Sequence, residues 1–349
     1  MNVYKKYLIT IGIVFALGLL GVGFLVVSVD PFMQYHKGRE GFPYIVDDQL
    51  SQNPGLARNE TYDAVLLGSS VTVNFSGRWF RDAYGVDLLK LPYNGAYPRD
   101  IANAMAQVDQ GQQNLKTVFL AVDITSYSGE TTQTKYPLPA YLYDGNLLND
   151  VSYIYNMDVI LSYIVKPYLS PEKATPKEEY YSDYFLYDGL FQKEWVLSHY
   201  DRPDISVDEA DGAVLLAAIE KNMDENICPI FEKHPDTRFI LFFPPRSIIY
   251  WDAFQRKSQI DLILTNEKYV IDRCLAYDNV EIHYFEDATD IITNLDNYMD
   301  QVHYSREICE KLVRALADGS YLLTKENEEE ILANFSAYLH AYPYDAIFE

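Results

Sequence analysis

The stretch YDAVLLGSSVTVNF, Tyr62 to Phe75, decides how this chain is read. Ala64 to Leu67 is an unbroken apolar run, the pattern of a strand buried on both faces. Gly68 permits a tight turn at its end, and two hydroxyls, Ser69 and Ser70, follow at once. A serine there either caps the next helix or presents its hydroxyl for chemistry. The choice turns on whether a base reaches Ser70.

Outward from this stretch the chain alternates. Strands are predicted at Ala64–Leu67, Asp87–Leu91, Thr117–Val122, Arg238–Phe243 and Val280–Tyr284. Helices are predicted at about Gly77–Tyr84, Arg99–Gln113, Val207–Glu232, Asn266–Ala276 and Ser305–Ala317. Short continuous apolar strands separated by helices imply an α/β fold with a mainly parallel sheet covered on both faces. Residues 61–324 hold this pattern. It breaks between Ile124 and Asp204, which contains 13 of the 31 tyrosines and a single helix candidate at Val151–Val165. An insertion at about 124–206 on the C-terminal side of the sheet is either a substrate wall or a lid or oligomer contact. Residues 325–349 read as an acidic helical tail exposed to solvent.

The N-terminus sets the compartment. Lys5 and Lys6 precede Tyr7–Val29, which carries no charge. At 1.5 Å per residue a helix of that length spans roughly the 30 Å of a bilayer core. The segment ends on Ser28-Val29-Asp30-Pro31, a poor match to a signal-peptidase site. The reading is an uncleaved transmembrane anchor over residues 1–29, its lysines cytoplasmic and the main domain outside the cell. Residues 30–60, with Pro31, Gly38, Gly41, Pro43 and Pro54, are expected to be an irregular juxtamembrane segment.

A formal charge of -23 repels nucleic acid and anionic head groups, so nucleic-acid binding is excluded. Cys228, Cys274 and Cys309 are far apart and form no CxxC pair, which points to buried small apolar residues. No His and carboxylate cluster has ligand spacing, so neither a metal nor another cofactor is expected. Tyrosine presents a flat apolar face with a polar tip, suited to wet surfaces and to sugar rings.

Of six histidines, His303 stands apart. It lies in NYMDQVHYS, between the last strand region and a helix that Ser305 caps, with Asp300 three residues before it. A carboxylate at that spacing accepts a hydrogen bond from one imidazole nitrogen and leaves the other free to take a proton. A Gly-Ser-Ser after the first strand and an Asp-x-x-His before the last helix together resemble the SGNH/GDSL hydrolase superfamily. That resemblance implies a three-layer α/β/α fold with Ser70 as nucleophile, His303 as base and Asp300 as its orienting partner. LPYNGAYPRD looks like the second conserved block of that superfamily, so the Gly95 and Ser70 amides would form the oxyanion hole. Two departures stand out: Ser69 replaces the usual Asp, and FLAVDITSYSG holds no Gly-x-Asn-Asp after the third strand. Asn94, Thr125 or Ser126 would have to supply the side-chain donor, with Asn94 favoured.

The Gly-Ser-Ser variant is similar to the membrane-anchored branch that includes the D-alanyl transfer protein of lipoteichoic acid synthesis. By that resemblance the chain is a serine esterase or acyltransferase acting on an acyl ester of a cell-envelope or exopolysaccharide glycan. Its partners would be that glycan or a lipid-linked saccharide, and a membrane-bound O-acyltransferase. The charge favours a neutral glycan. The rival reading is a non-catalytic SGNH-like glycan-binding or assembly partner of such an acyltransferase, with its hydroxyls serving only as caps.

Overall fold

The computed structural model describes residues 3–111, 114–175, 189–206 and 211–349. Its centre is a six-stranded sheet in the order β2-β1-β3-β4-β5-β6. The strands are β1 Ala64–Gly68, β2 Leu88–Pro92, β3 Thr117–Ala121, β4 Arg238–Phe243, β5 Val280–Tyr284 and β6 Leu322–Leu323. The first five pair in parallel and β6 pairs antiparallel to β5. All five residues of β1, β2 and β3 are buried, as strands covered by helices on both faces must be, the charged Lys90 of β2 included. Among the crossing elements are α3 Gly77–Tyr84, α4 Pro98–Gly111 and the helices Ile260–Cys274 and Arg306–Asp318. The five predicted strands match to within one residue at each end. Sequence periodicity has no hold on the two-residue β6. It also misses the helix Ile248–Arg256, where Ile248 to Asp252 are all buried and leave no polar face to mark a stripe.

Three expectations need correction. Residues 30–60 are not irregular throughout: α2 runs Gln49–Asn59, started by Asp48, whose side chain accepts from the Ser51 amide. Pro54 lies inside it and brings no N–H for the Leu50 carbonyl. The Tyr143 hydroxyl donates to that carbonyl instead, at 2.9 Å. The helix predicted at Val151–Val165 is interrupted at Tyr155 and Asn156: a short turn, Val151–Ile154, comes first, and a second helical run, residues 157–169, continues through a π-turn at Leu161–Val165. The tail is no solvated appendage. Helix Glu328–Ala341 buries Leu332, Phe335 and Leu339, one face at helical spacing, against the main core.

The helix predicted at Val207–Glu232 is described from Gly212 and carries a π-turn, Met223–Ile227, just before Pro229. Its start at 207–210 and most of the tyrosine cluster EEYYSDYFLYDG lie outside the described residues.

Helix α1, Val3–Val29, is long and apolar enough to cross a membrane, and no other such helix occurs among the described residues. Its last turn is tied to the domain by Asp30. That buried carboxylate accepts from the Gln34, Tyr35 and His36 amides and from the Tyr153 hydroxyl.

Phe335 stacks edge-on to Trp251, with ring centroids 5.3 Å apart, and to Tyr284, 5.9 Å away. Truncating a buried aromatic costs about 3–5 kcal/mol. Phe335→Ala is therefore expected to lower unfolding stability by that order in urea titration of the detergent-solubilised chain. A change within about 0.5 kcal/mol would mean the tail is not part of the core.

Candidate active site

Gly68 ends β1 at φ +152°, and a Cβ there would lie 2.6 Å from the Thr72 methyl and 2.9 Å from Ala121. Only glycine fits where the chain turns this closely under β3. Ser70 then opens a single 3₁₀ turn, Ser70–Thr72, whose preceding residue Ser69 makes no side-chain cap. The turn is held from below. The ammonium of Lys90, fully buried on β2, donates to the carbonyls of Val73 at 2.5 Å and Phe75 at 3.1 Å. Ser70 is thus fixed at the C-terminal rim of the sheet and its hydroxyl is not a helix cap.

The second half of the site lies on residues 298–305. Tyr298 and Tyr304 form an isolated antiparallel bridge, and the Met299 amide donates to the His303 carbonyl at 3.0 Å. This small hairpin is clamped to the end of β4. Ser247 donates to the Gln301 carbonyl from both its amide and its hydroxyl, at 3.0 and 2.7 Å, and the Tyr298 hydroxyl donates to the Pro245 carbonyl. Ser305 caps the following helix by accepting from the Ile308 amide.

The two halves meet. His303 Nε2 lies 2.7 Å from Ser70 Oγ, and His303 Nδ1 lies 2.6 Å from Asp300 Oδ2. Asp300 Oδ1 accepts from the Val302 and His303 amides, each at 2.8 Å. An ionised carboxylate only accepts, so Nδ1 carries the proton and Nε2 is left as the acceptor for the Ser70 hydroxyl. Burial opposes the charge on Asp300. The hydrogen bond and attraction from His303, with the two amides, outweigh it and hold the carboxyl below its ordinary value.

Strands β1 and β2 are neighbours in register, Gly68 beside Pro92, so the turn at Gly95 flanks Ser70. Gly95 has φ +68°, and the Lys135 side chain lies over its Cα. Asn94 pairs reciprocally with Gln49 of α2: its amide donates to Gln49 Oε1 at 2.8 Å and its Oδ1 accepts from Gln49 Nε2 at 3.1 Å. Any donor role of the Asn94 side chain therefore rests on its Nδ2. The other candidates are engaged elsewhere, since Thr125 donates to Asp123 Oδ1 and Ser126 to the Asp123 carbonyl.

One charged cluster on the same rim escapes the sequence. Arg246, almost wholly buried after β4, bonds Glu286 through Nη1 and Asp123 through Nη2, the latter at 2.9 Å. The guanidinium lies 5.0 Å from the Tyr250 ring centroid. The signal available was an arginine directly after the apolar strand and two prolines of FILFFPPR. Glu267, fully buried, accepts from the Tyr284 hydroxyl at 2.6 Å while its Oε1 has no hydrogen-bond partner. Burial, and then the charge of Glu286, push its carboxyl well above the ordinary glutamate range.

A cleft of about 870 Å³ opens at the N-terminal ends of the strands beside Asp63, Asp87 and Lys116, away from this chemistry. A second cleft of about 520 Å³ lies beside the Gly95 turn, with Asn94, Lys135, Tyr136, Tyr163 and Asp47 among its walls. Two tyrosines of the insertion thus reach the neighbourhood of the site. Others spend their hydroxyls on structure, Tyr143 on the Leu50 carbonyl and Tyr200 on Asp252.

No protein-family model and no curated protein sequence matches the chain. Among solved structures, it is similar to a protein provisionally described as a platelet activating factor from Streptococcus pneumonia. The identity is 11% over 78% of this chain and 90% of that one, with a TM-score of 0.40. A likeness at that level bears on neither the activity nor the substrate of this chain.

Glu267 gives the rim a pH dependence of definite sign. Its folded-state value lies above its unfolded one, so between about pH 5 and pH 8 the unfolded chain has released a proton that the folded chain retains. Stability contributed by this group falls as pH rises through that window. Glu267→Gln is expected to flatten the fall, measured as the urea midpoint at about pH 5 against about pH 8. An unchanged slope would place the titration elsewhere.

Proposed function

We propose that the chain is a membrane-anchored serine esterase or acyltransferase whose domain lies outside the cytoplasm and acts on an acyl ester of an envelope glycan. The observation that carries this reading is the unbroken hydrogen-bonded chain Asp300–His303–Ser70, assembled from residues 230 positions apart in sequence. A structural cap would need none of these contacts, only a backbone N–H. A serine made nucleophilic needs all of them in this order.

The steps follow from the atoms. Ser70 Oγ attacks the acyl carbonyl carbon as its proton passes to His303 Nε2. The charge that develops on the carbonyl oxygen falls to the backbone amides of Ser70 and Gly95, neither of which donates to another group among the described residues. Asp300 stabilises the imidazolium. The ester then breaks, its alcohol takes the proton from Nε2, and the acyl group stays on Ser70. A second hydroxyl, from water or a sugar, gives its proton to His303 and attacks the same carbon, and Nε2 returns that proton to Oγ as the bond to Ser70 breaks. Esterase and transferase differ only in which hydroxyl arrives. In this reading residues 61–324 and the helix behind them form the catalytic domain.

The net charge of -23 favours a neutral glycan over an anionic polymer. The aromatic walls of the cleft beside Asn94 suit a sugar ring. A membrane-bound O-acyltransferase as partner rests on the SGNH resemblance alone. Lys5 and Lys6 favour a cytoplasmic N-terminus.

A fluorophosphonate probe tests the site. The intact chain is expected to label at one serine, Ser70→Ala not at all, and His303→Ala slower by at least about 10³-fold. Asp300→Asn keeps the fold but leaves imidazole in the wrong tautomer, with a loss of about 10⁴-fold. Equal weak labelling of all four proteins would rule out an activated serine and leave the glycan-binding reading.

A further inference from the structure

The segment 147–169 carries apolar side chains that nothing among the described residues covers. Met157, Leu161, Val165, Tyr168 and Leu169 are all exposed, Leu169 at 72% and Tyr168 at 74%. They recur every three or four positions, through the short helices and the π-turn, as one stripe. The opposite side of the segment is spoken for. Tyr153, Val159 and Ile164 pack with Val26, Val29 and Phe32 in a satellite core at the foot of α1.

The same segment runs alongside the anchor helix. The Tyr155 hydroxyl donates to the Leu19 carbonyl at 3.3 Å. Gly23 makes room for it, since a Cβ there would lie 3.2 Å from that hydroxyl and 3.6 Å from the Ile154 methyl. Small residues commonly allow such close approach between membrane-embedded elements. Leu19 lies ten residues before Val29, about 15 Å along the helix axis. It lies twelve residues beyond Tyr7, about 18 Å, well within a hydrocarbon layer of about 30 Å. An element touching α1 at Leu19 therefore sits at a depth that lipid occupies wherever α1 spans the bilayer. Polar groups on its packed side are met internally, as hydrocarbon demands: the Tyr155 hydroxyl by the Leu19 carbonyl, and the Tyr153 hydroxyl by Asp30 and the Phe32 amide.

We propose that residues 147–169 are a second membrane-seated element, an amphipathic segment whose exposed stripe lies in the outer leaflet against the anchor. The occupant of the apolar stripe is lipid. This rests on the reading that α1 crosses the membrane. Asp158 and Lys166, both exposed, interrupt the stripe and suit the head-group boundary of an interfacial element rather than a full span. Tyr163 on the same segment donates to Asp47 at 2.9 Å, and both line the cleft beside Asn94. The seated element thus furnishes a wall of that cleft and holds it at a fixed height over the bilayer.

Single cysteines at Met157, Leu161 and Leu169 in the full chain, carrying an NBD fluorophore, test this in phosphatidylcholine vesicles. Cys228, Cys274 and Cys309 are buried and do not compete for label. Phe15→Cys reports on the anchor and Lys325→Cys on solvent. Probes at 157, 161, 169 and 15 are expected to lose fluorescence to a nitroxide on the lipid acyl chain and to resist aqueous iodide, with the reverse at 325. If 15 is lipid-quenched but 157, 161 and 169 respond to iodide, the segment is in water and the proposal fails alone. If those three respond to neither quencher, a protein, such as a second copy, covers the stripe and the proposal is overturned. If 15 itself responds to iodide, the anchor reading fails and takes the proposal with it.

Discussion

Two hydrogen bonds from Ser247 to the Gln301 carbonyl join the end of β4 to the hairpin that carries Asp300 and His303. Without that clamp the imidazole would ride on a surface loop. With it, the hairpin is referenced to the same parallel sheet that fixes Ser70 through Gly68 and Lys90. Each half of the site is therefore built from short contacts to a neighbouring strand end. The meeting of hydroxyl and imidazole follows from strand order: β1 and β4 flank β3, so their C-terminal ends share a rim. This is the general economy of parallel α/β folds, in which loops at one edge of a rigid sheet converge.

The rim combines a half-buried hydrogen-bonded chain, Asp300–His303–Ser70, with a buried charge cluster, and these answer to different physics. Asp300 is partly open to solvent and kept ionised by the groups that donate to it. Arg246, Glu286 and Glu267 are shut away, where a lone charge is costly and pairing decides which group stays ionised. Arg246 also reaches out to Asp123, which itself gathers the Thr125 hydroxyl. The loop after β3 is thus organised by a cation from the next strand rather than by an asparagine of its own.

Much of this was legible in the chain, for reasons that differ by element. Strands β1, β3 and β4 are built on continuous apolar runs, and Gly77–Tyr84 begins at Ser76 and ends at Gly85, so caps and periodicity mark it without tertiary knowledge. Ser70, Asp300 and His303 were singled out because residue type, order and local turn signals coincide. What stayed hidden depends on burial from several sides or on distant partners. Pro54 argues against α2 until Tyr143, far along the chain, supplies the missing donor. Acidic residues at the start of Glu328–Ala341 disguise a helix whose other face enters the core. The clustering of Arg246 with Glu286 and Asp123 depends on side chains 40 and 123 residues distant.

An acyl group left on the serine is the most direct trace of the account. The purified full-length chain would be mixed with an activated acetate ester and quenched early. Intact mass and peptide mapping should then show one acetyl group on Ser70, formed in a burst stoichiometric with protein. A chain that hydrolyses the ester at the same rate with no adduct at Ser70, or whose adduct maps to another residue, would contradict it.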